Sequence, residues 1–225
     1  MKELCVLMPT RGVVLTEVQD AIDAEIVRNG LVPFFIRTHD LPLPASRNFL
    51  VESAMKIPGW SHVLLLDDDV IIPEGGLKQL IALKADIAVM DYPLHMVKDG
   101  KNCGTVVTDK DGSIAWAGIG CCLVKREVFE KLSQPWFAFT NYRINRADDG
   151  ALGIYAGQTG DANRYSGGED THFFLNARKE GFKIKQTKKH AVHCHIEQMV
   201  LPTQNRRYVA QNKIVKRNKI EAEMV

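Results

Sequence analysis

Three consecutive carboxylates, Asp67-Asp68-Asp69, follow the apolar run Val63-Leu64-Leu65-Leu66 and precede Val70-Ile71-Ile72-Pro73. A short continuous apolar run reads as a strand buried on both faces. The acids then stand at its C-terminal end, where open α/β sheets place their ligands. Adjacent carboxylates repel one another, and a buried strand end holds three of them at a cost unless a cation is present. A helix start at Pro73 accounts for one aspartate and leaves two unexplained. The chemistry indicated is metal or metal–phosphate binding.

A second acidic stretch is Gly167-Gly168-Glu169-Asp170, which opens an amphipathic segment ending at Gly181. The helix macrodipole favours acids there. That local effect does not say why a glycine-containing polar segment should deliver them. His193-Cys194-His195 places two imidazoles on one face of an extended strand. This is a fair metal pattern, although a Cys/His zinc site here lacks the usual ligand spacing. Arg47 falls in the first turns of a second helix, where a guanidinium can grip a diphosphate bidentately. Pro9-Thr10-Arg11-Gly12 reads as the loop after strand one, with Arg11 set for phosphate and Thr10 for base or ribose, or else as a surface turn.

Several elements must position these groups. Leu4 to Met8 is a strand. Thr16 with Gln19 resembles a capping box, and Val18, Ala21, Ile22 and Ile26 form a helical stripe ending at Asn29-Gly30. Leu31 to Ile36 is a second strand, so the chain opens β-α-β, which favours a parallel sheet. The helix from Leu43, the strand Val63–Leu66, the helix Pro73–Leu83 and the strand Ile87–Met90 continue the alternation. Asp109-Lys110-Asp111-Gly112-Ser113, between short β-like runs, signals a hairpin. Ala117-Gly118-Ile119-Gly120-Cys121-Cys122-Leu123-Val124 is a small-residue strand whose glycines, Gly120 among them, permit close approach of a ligand or another backbone. Arg126 to Leu132 is a short helix, and Phe182 to Thr187 a strand. Asn141 to Ser166 has no periodicity and reads as a lid over substrate. Arg206 to Lys219 is basic and reads as a helix, solvated or packing against a second subunit in a homo-oligomer.

Composition sets the outer limits. The 225 residues, 45% hydrophobic and 25% charged, suit a globular chain with a sizeable core, and a net charge of +2 makes no case for nucleic acid. No window is apolar for long enough to span a bilayer. Met1 to Pro9 is expected to be the first strand rather than a signal segment. Five cysteines, with no CxxC pair, fit a reducing compartment better than a disulfide framework. A cytoplasmic protein is the expectation, with a location peripheral to a membrane as the alternative.

Taken in order, the apolar strand with Asp67-Asp68-Asp69, the strand Ala117–Val124, Gly167-Gly168-Glu169-Asp170 and a late histidine resemble the GT-A glycosyltransferases, nucleotide-sugar enzymes with a DxD motif. Gly118 to Arg126 looks like the acceptor-side segment of family-2-type members, and the Gly-Gly-Glu-Asp stretch is similar to the acidic segment of inverting galactosyltransferases. The resemblance covers about residues 3 to 197. It implies a catalytic domain over 1–200 with a mixed, mostly parallel sheet flanked by helices, and a basic tail over 201–225. It implies Mn²⁺ or Mg²⁺ on Asp69, shared with Asp67, and completed by His193 or His195. Asp67 or Asp68 would hold the ribose, and Thr10, Arg11, Arg47 and Gly120 would serve a nucleotide-sugar donor, UDP-linked by expectation. Glu169-Asp170 would be the catalytic pair, with Asp170 as general base toward a glycan, lipid-linked or other hydroxyl acceptor. A retaining outcome, a nucleotidyltransferase and a non-catalytic glycan- or nucleotide-binding module are the competing readings. Pro9-Thr10-Arg11-Gly12 lacks the glycine-rich signature of the second.

Overall fold

The computed structural model describes residues 3–10, 12–39, 41–98, 101–146, 152–156, 165–202 and 208–216, with backbone alone for 94–103, 140–146, 152–156, 165–167 and everything after 194. The first half runs β1 (Glu3–Thr10), α1 (Thr16–Arg28), β2 (Val32–His39), α2 (Leu43–Met55), β3 (His62–Leu66), β4 (Val70–Ile71), α3 (Gly76–Ala82) and β5 (Ile87–Val89). The second half runs β6 (Pro93–Lys98), β7 (Lys101–Gly104), β8 (Val107–Thr108), β9 (Ile114–Trp116), β10 (Cys121–Lys125), α4 (Arg126–Lys131), β11 (Thr140–Arg146), β12 (Leu152–Ala156), β13 (Tyr165–Gly167), α5 (Glu169–Lys179), β14 (Ile184–Gln186), β15 (Val192–Pro202) and β16 (Tyr208–Lys216).

The central sheet has six strands in the order β14-β5-β10-β3-β1-β2. Its pairings are parallel except those of β10, which lies antiparallel between β3 and β5. This is the expected α/β architecture: a mixed, mostly parallel sheet flanked by helices, with small antiparallel hairpins at β6–β7 and β8–β9. Strand alternation divides the core. Cys5, Leu7, Val63 and Leu65 face one layer, packed with Leu50, Val51 and Ala54 of α2, Val128 and Phe129 of α4, and Phe173, Phe174 and Ala177 of α5. Leu4, Val6, Met8, Leu64 and Leu66 face the other, with Val18, Ile22 and Ile26 of α1 and Leu77 and Leu80 of α3. A strand apolar on both faces is what the run Val63–Leu66 required, because helices cover both sides.

Three sequence expectations change. Thr16 is the first helical residue and not a cap: Leu15 takes the cap position, and its carbonyl accepts from Val18 and Gln19 at 3.0 and 3.1 Å. The Gln19 amide instead reaches Asp23 at 2.8 Å. The stretch read as a lid contains β11, β12 and β13, a three-stranded antiparallel sheet in the order β12-β11-β13; Gly150, Gly157 and Gly160 lie outside the described residues. The tail does not enter a helix where described. Tyr208–Lys216 is β16, paired antiparallel along β15 from Cys194↔Lys216 to Pro202↔Tyr208, so the ladder crosses position 200 and joins the tail to the preceding segment. Among the described residues no helix is long and apolar enough to cross a membrane.

Candidate active site

β1 and β3 are parallel neighbours, so their C-terminal ends lie side by side. A cleft of about 340 Å³ opens there, lined by Pro9, Thr10, Leu41, Leu43, Asp67, Asp68 and Asp69. Its size and mixed polar and apolar lining suit a small-molecule ligand. All three aspartates of the cluster reach it, although their backbone is also tied into the fold. The Asp67 amide donates to the Gly120 carbonyl at 3.0 Å, the Asp68 carbonyl accepts from Leu15 at 3.5 Å, and the Asp69 carbonyl accepts from Cys194 at 2.7 Å.

The three side chains have different surroundings. Arg47 Nη2 donates to both oxygens of Asp67, at 3.0 and 3.3 Å. Burial pushes the Asp67 carboxyl above its usual range; Arg47 opposes this, and Asp69, Asp68 and Glu169 add to it. Asp68 is buried. Asp69 is met by His193. β15 adds to the short strand β4, pairing Val192 with Ile71 and His193 with Val70, and this brings the imidazole next to the acid cluster. Asp69 Oδ2 is 3.6 Å from His193 Nε2. His193 Nδ1 lies 3.1 Å from the Pro93 carbonyl and Nε2 faces the Asp69 carboxylate; both partners can only accept, so each ring nitrogen is placed to donate and the pocket favours the protonated imidazole. Burial lowers the His193 pKa, but the Asp69 hydrogen bond and charge, with the Pro93 carbonyl and Asp67, raise it on balance.

A metal-ligating histidine is commonly held through its second nitrogen by a carbonyl, as Nδ1 is here; a cation entering between Nε2 and Asp69 would have to displace the Nε2 proton. Among the described residues no three His, Cys, Asp or Glu side chains form a ready ligand set. A divalent cation bound through a nucleotide diphosphate takes one or two protein ligands and draws the rest from phosphate and water. Asp69, with His193 beside it, is the group that would hold such a cation.

The second acidic stretch starts α5, with Gly168 at the N-cap. Phe173 anchors the helix, stacking on Phe137 at 5.2 Å and Phe129 at 5.8 Å between ring centroids. Glu169 is buried, and its Oε1 is 3.3 Å from Arg47 Nε. Burial pushes the Asp170 carboxyl up to about 8; Arg47 pulls the other way, and Glu169 and Asp67 reinforce the rise. Neither Glu169 nor Asp170 lines the cleft. They join the strand-end cluster through Arg47.

Arg47 is 2% exposed. The sequence places it for a diphosphate; in the structure it is enclosed between Asp67 and Glu169, away from the cleft lining. Thr10 does line the cleft, with Oγ1 donating to the Thr38 carbonyl at 2.8 Å and accepting from the Gly12 amide at 3.1 Å. Gly120 is explained by its neighbours: a Cβ there would lie 2.6 Å from the Tyr92 hydroxyl and 2.7 Å from Asp67 Oδ2. Arg11 and the side chain of His195 lie outside the described residues. Tyr92 is the residue that sequence reasoning missed. Its hydroxyl accepts from the Gly120 amide at 3.1 Å, and its ring meets His193 edge-on at 5.5 Å. The available signal was an aromatic directly after a buried strand, in Asp91-Tyr92-Pro93.

Fold and site together define an α/β protein with an acidic ligand cleft at the C-terminal ends of its central strands. No protein-family model matches the sequence, and neither does any curated protein. Among solved structures, A197 from STIV is similar over 95% of this chain and 95% of its own, with 18% identity and a TM-score of 0.56. A glycosyltransferase involved in the glycosylation of the major capsid of PBCV-1 is similar over 56% of this chain and 62% of its own, with 15% identity and a TM-score of 0.35. HddC from Yersinia pseudotuberculosis, complexed with GMP-PN, is similar over 80% of this chain and 100% of its own, with 11% identity and a TM-score of 0.38. The first likeness concerns the fold alone, and the other two superpose too loosely to bear on this chain.

Proposed function

We propose that this protein is a metal-dependent glycosyltransferase of the GT-A type, moving a sugar from a nucleotide-sugar, UDP-linked by preference, to an acceptor hydroxyl with inversion. The observation that supports the reading is the placement of Asp69 beside His193, whose Nδ1 is held by a carbonyl, next to a cleft lined by all three aspartates. Asp69 and His193 would hold Mn²⁺ or Mg²⁺. The bound cation would neutralise charge developing on the diphosphate leaving group.

The chain's own residues would do the rest. Leu41, Leu43 and Pro9 give the cleft apolar wall for a nucleobase, and Thr10 adds a hydroxyl. Asp68, or the oxygen of Asp67 less engaged by Arg47, would accept from a ribose hydroxyl. Asp170, once ionised, would take the proton of the acceptor hydroxyl as it attacks the anomeric carbon. Its raised pKa places that ionisation within reach of physiological pH, where a base is most effective.

The test is turnover across a nucleotide-sugar panel in Mn²⁺ with simple glycosides and lipid-linked glycans as acceptors. Release of the nucleoside diphosphate together with a glycosylated product supports the reading. Pyrophosphate release from a nucleoside triphosphate and sugar phosphate would replace it with a nucleotidyltransferase. Binding of glycans with no donor consumption would replace it with a binding module.

A further inference from the structure

Three elements far apart in sequence meet at one guanidinium. Arg47 comes from α2, Asp67 from the end of β3 and Glu169 from the first turn of α5. Its Nη2 engages both Asp67 oxygens at 3.0 and 3.3 Å, and its Nε lies 3.3 Å from Glu169 Oε1. The side chain is 2% exposed, and its Nε and Nη1 have no hydrogen-bond acceptor among the described residues. One positive charge is thus divided between a carboxylate of the cleft wall and a carboxylate next to Asp170. A buried guanidinium with unused donors is costly in a merely structural role, because two well-placed acids could satisfy more of them.

We infer that Arg47 is a positioning residue that couples occupancy of the cleft to the placement of Asp170; this rests on the glycosyltransferase reading above. When a donor diphosphate and its cation occupy the cleft, Asp67 shares its negative charge with them. Its hold on Nη2 weakens. The guanidinium then leans toward Glu169, with Nε free to complete a hydrogen bond there. The first turn of α5 tightens, and Asp170 is fixed for an acceptor. Arg47 touches neither substrate.

The experiment is hydrogen exchange of the α5 amides with and without UDP and MnCl₂, with thermal unfolding followed in parallel. In the wild type, UDP with Mn²⁺ raises the melting temperature and slows exchange in the first turn of α5 by about fivefold or more, a typical coupling between linked sites. In Arg47→Met the exchange response disappears, and Arg47→Lys, which keeps the charge, restores part of it. Glu169→Gln leaves Arg47 paired with Asp67 and also loses the response, which provides the same test if Arg47→Met does not fold. A wild-type protein whose melting temperature ignores UDP and Mn²⁺ overturns the glycosyltransferase reading and this inference with it. A raised melting temperature without slower α5 exchange, or an equal slowing in wild type, Arg47→Met and Glu169→Gln, overturns the coupling alone.

Discussion

The two acidic stretches share a residue type and differ in what surrounds it. Asp67-Asp68-Asp69 ends a strand and opens on a cleft; its outer members are matched with separate partners, Arg47 and His193. Glu169-Asp170 starts a helix and lies off the cleft. Glu169 has Arg47 as an ion-pair partner, while for Asp170 burial and the acidic neighbours outweigh the pull of Arg47. The first arrangement suits a diffusible cation, since its carboxylates line a cleft and one lies beside an imidazole. The second suits a proton, since burial keeps a carboxyl ready to lose or take one. On the proposed reading, two environments on one scaffold would give the same side chain two roles.

Substitution on each side should separate these roles. Asp170→Asn is expected to lower transfer by about 10²- to 10⁴-fold, the usual contribution of a general base, while Mn²⁺-dependent UDP binding persists. Asp69→Ala is expected to do the reverse, losing that binding while the folded circular-dichroism spectrum persists. If both variants fail in the same assay and pass in the other, the division between cation site and proton site is wrong.

Next in size is the link between the stretches. Arg47→Met leaves Asp67 and Glu169 without their cation and should cost about 3–5 kcal/mol in urea unfolding, as breaking a buried ion pair does. Adding Asp67→Asn and Glu169→Gln to Arg47→Met should recover much of it. Gly120→Ala is smaller: its methyl would press on the Tyr92 hydroxyl and Asp67, for about 1–3 kcal/mol of overpacking. Tyr92→Phe in the same chain should relieve part of that.

The last effect is the pH dependence of stability. A carboxyl whose folded pKa lies above its unfolded one favours the folded state at low pH, and that contribution is lost as pH rises toward the folded value. For Asp170 the window runs from the ordinary carboxylate range up to about 8. Stability should decline across it, and Asp170→Asn should flatten the decline.

Much of the fold was legible because local pattern and tertiary role agree. The β-α-β opening, the doubly buried run Val63–Leu66 and the Asp-Gly hairpin each carry their structure in a few consecutive residues. His193 was legible as one of two candidates because alternation along a strand is a local property. The partner of Arg47 was not. That arginine is a helix residue like any other until α2, β3 and α5 pack, and only then do Asp67 and Glu169 enclose it. Gly120 reads in the sequence as close approach of a ligand or another backbone, and what fills its space is the side chain of Tyr92, a residue 28 positions away. The basic tail looked helical because charges surround Tyr208, Val209, Ile214 and Val215; pairing along β15, invisible to local propensity, makes it a strand. The segment Asn141–Ser166 looked structureless because its strands are short and its glycines many.

Calorimetric titration of UDP, with and without Mn²⁺, into the wild type and into Asp69→Ala and His193→Ala addresses the cleft most directly. Binding in the wild type that requires Mn²⁺, and is lost in both variants, is the result expected. UDP binding that ignores the metal, or survives unchanged in Asp69→Ala, would contradict a cation site built on Asp69 and His193.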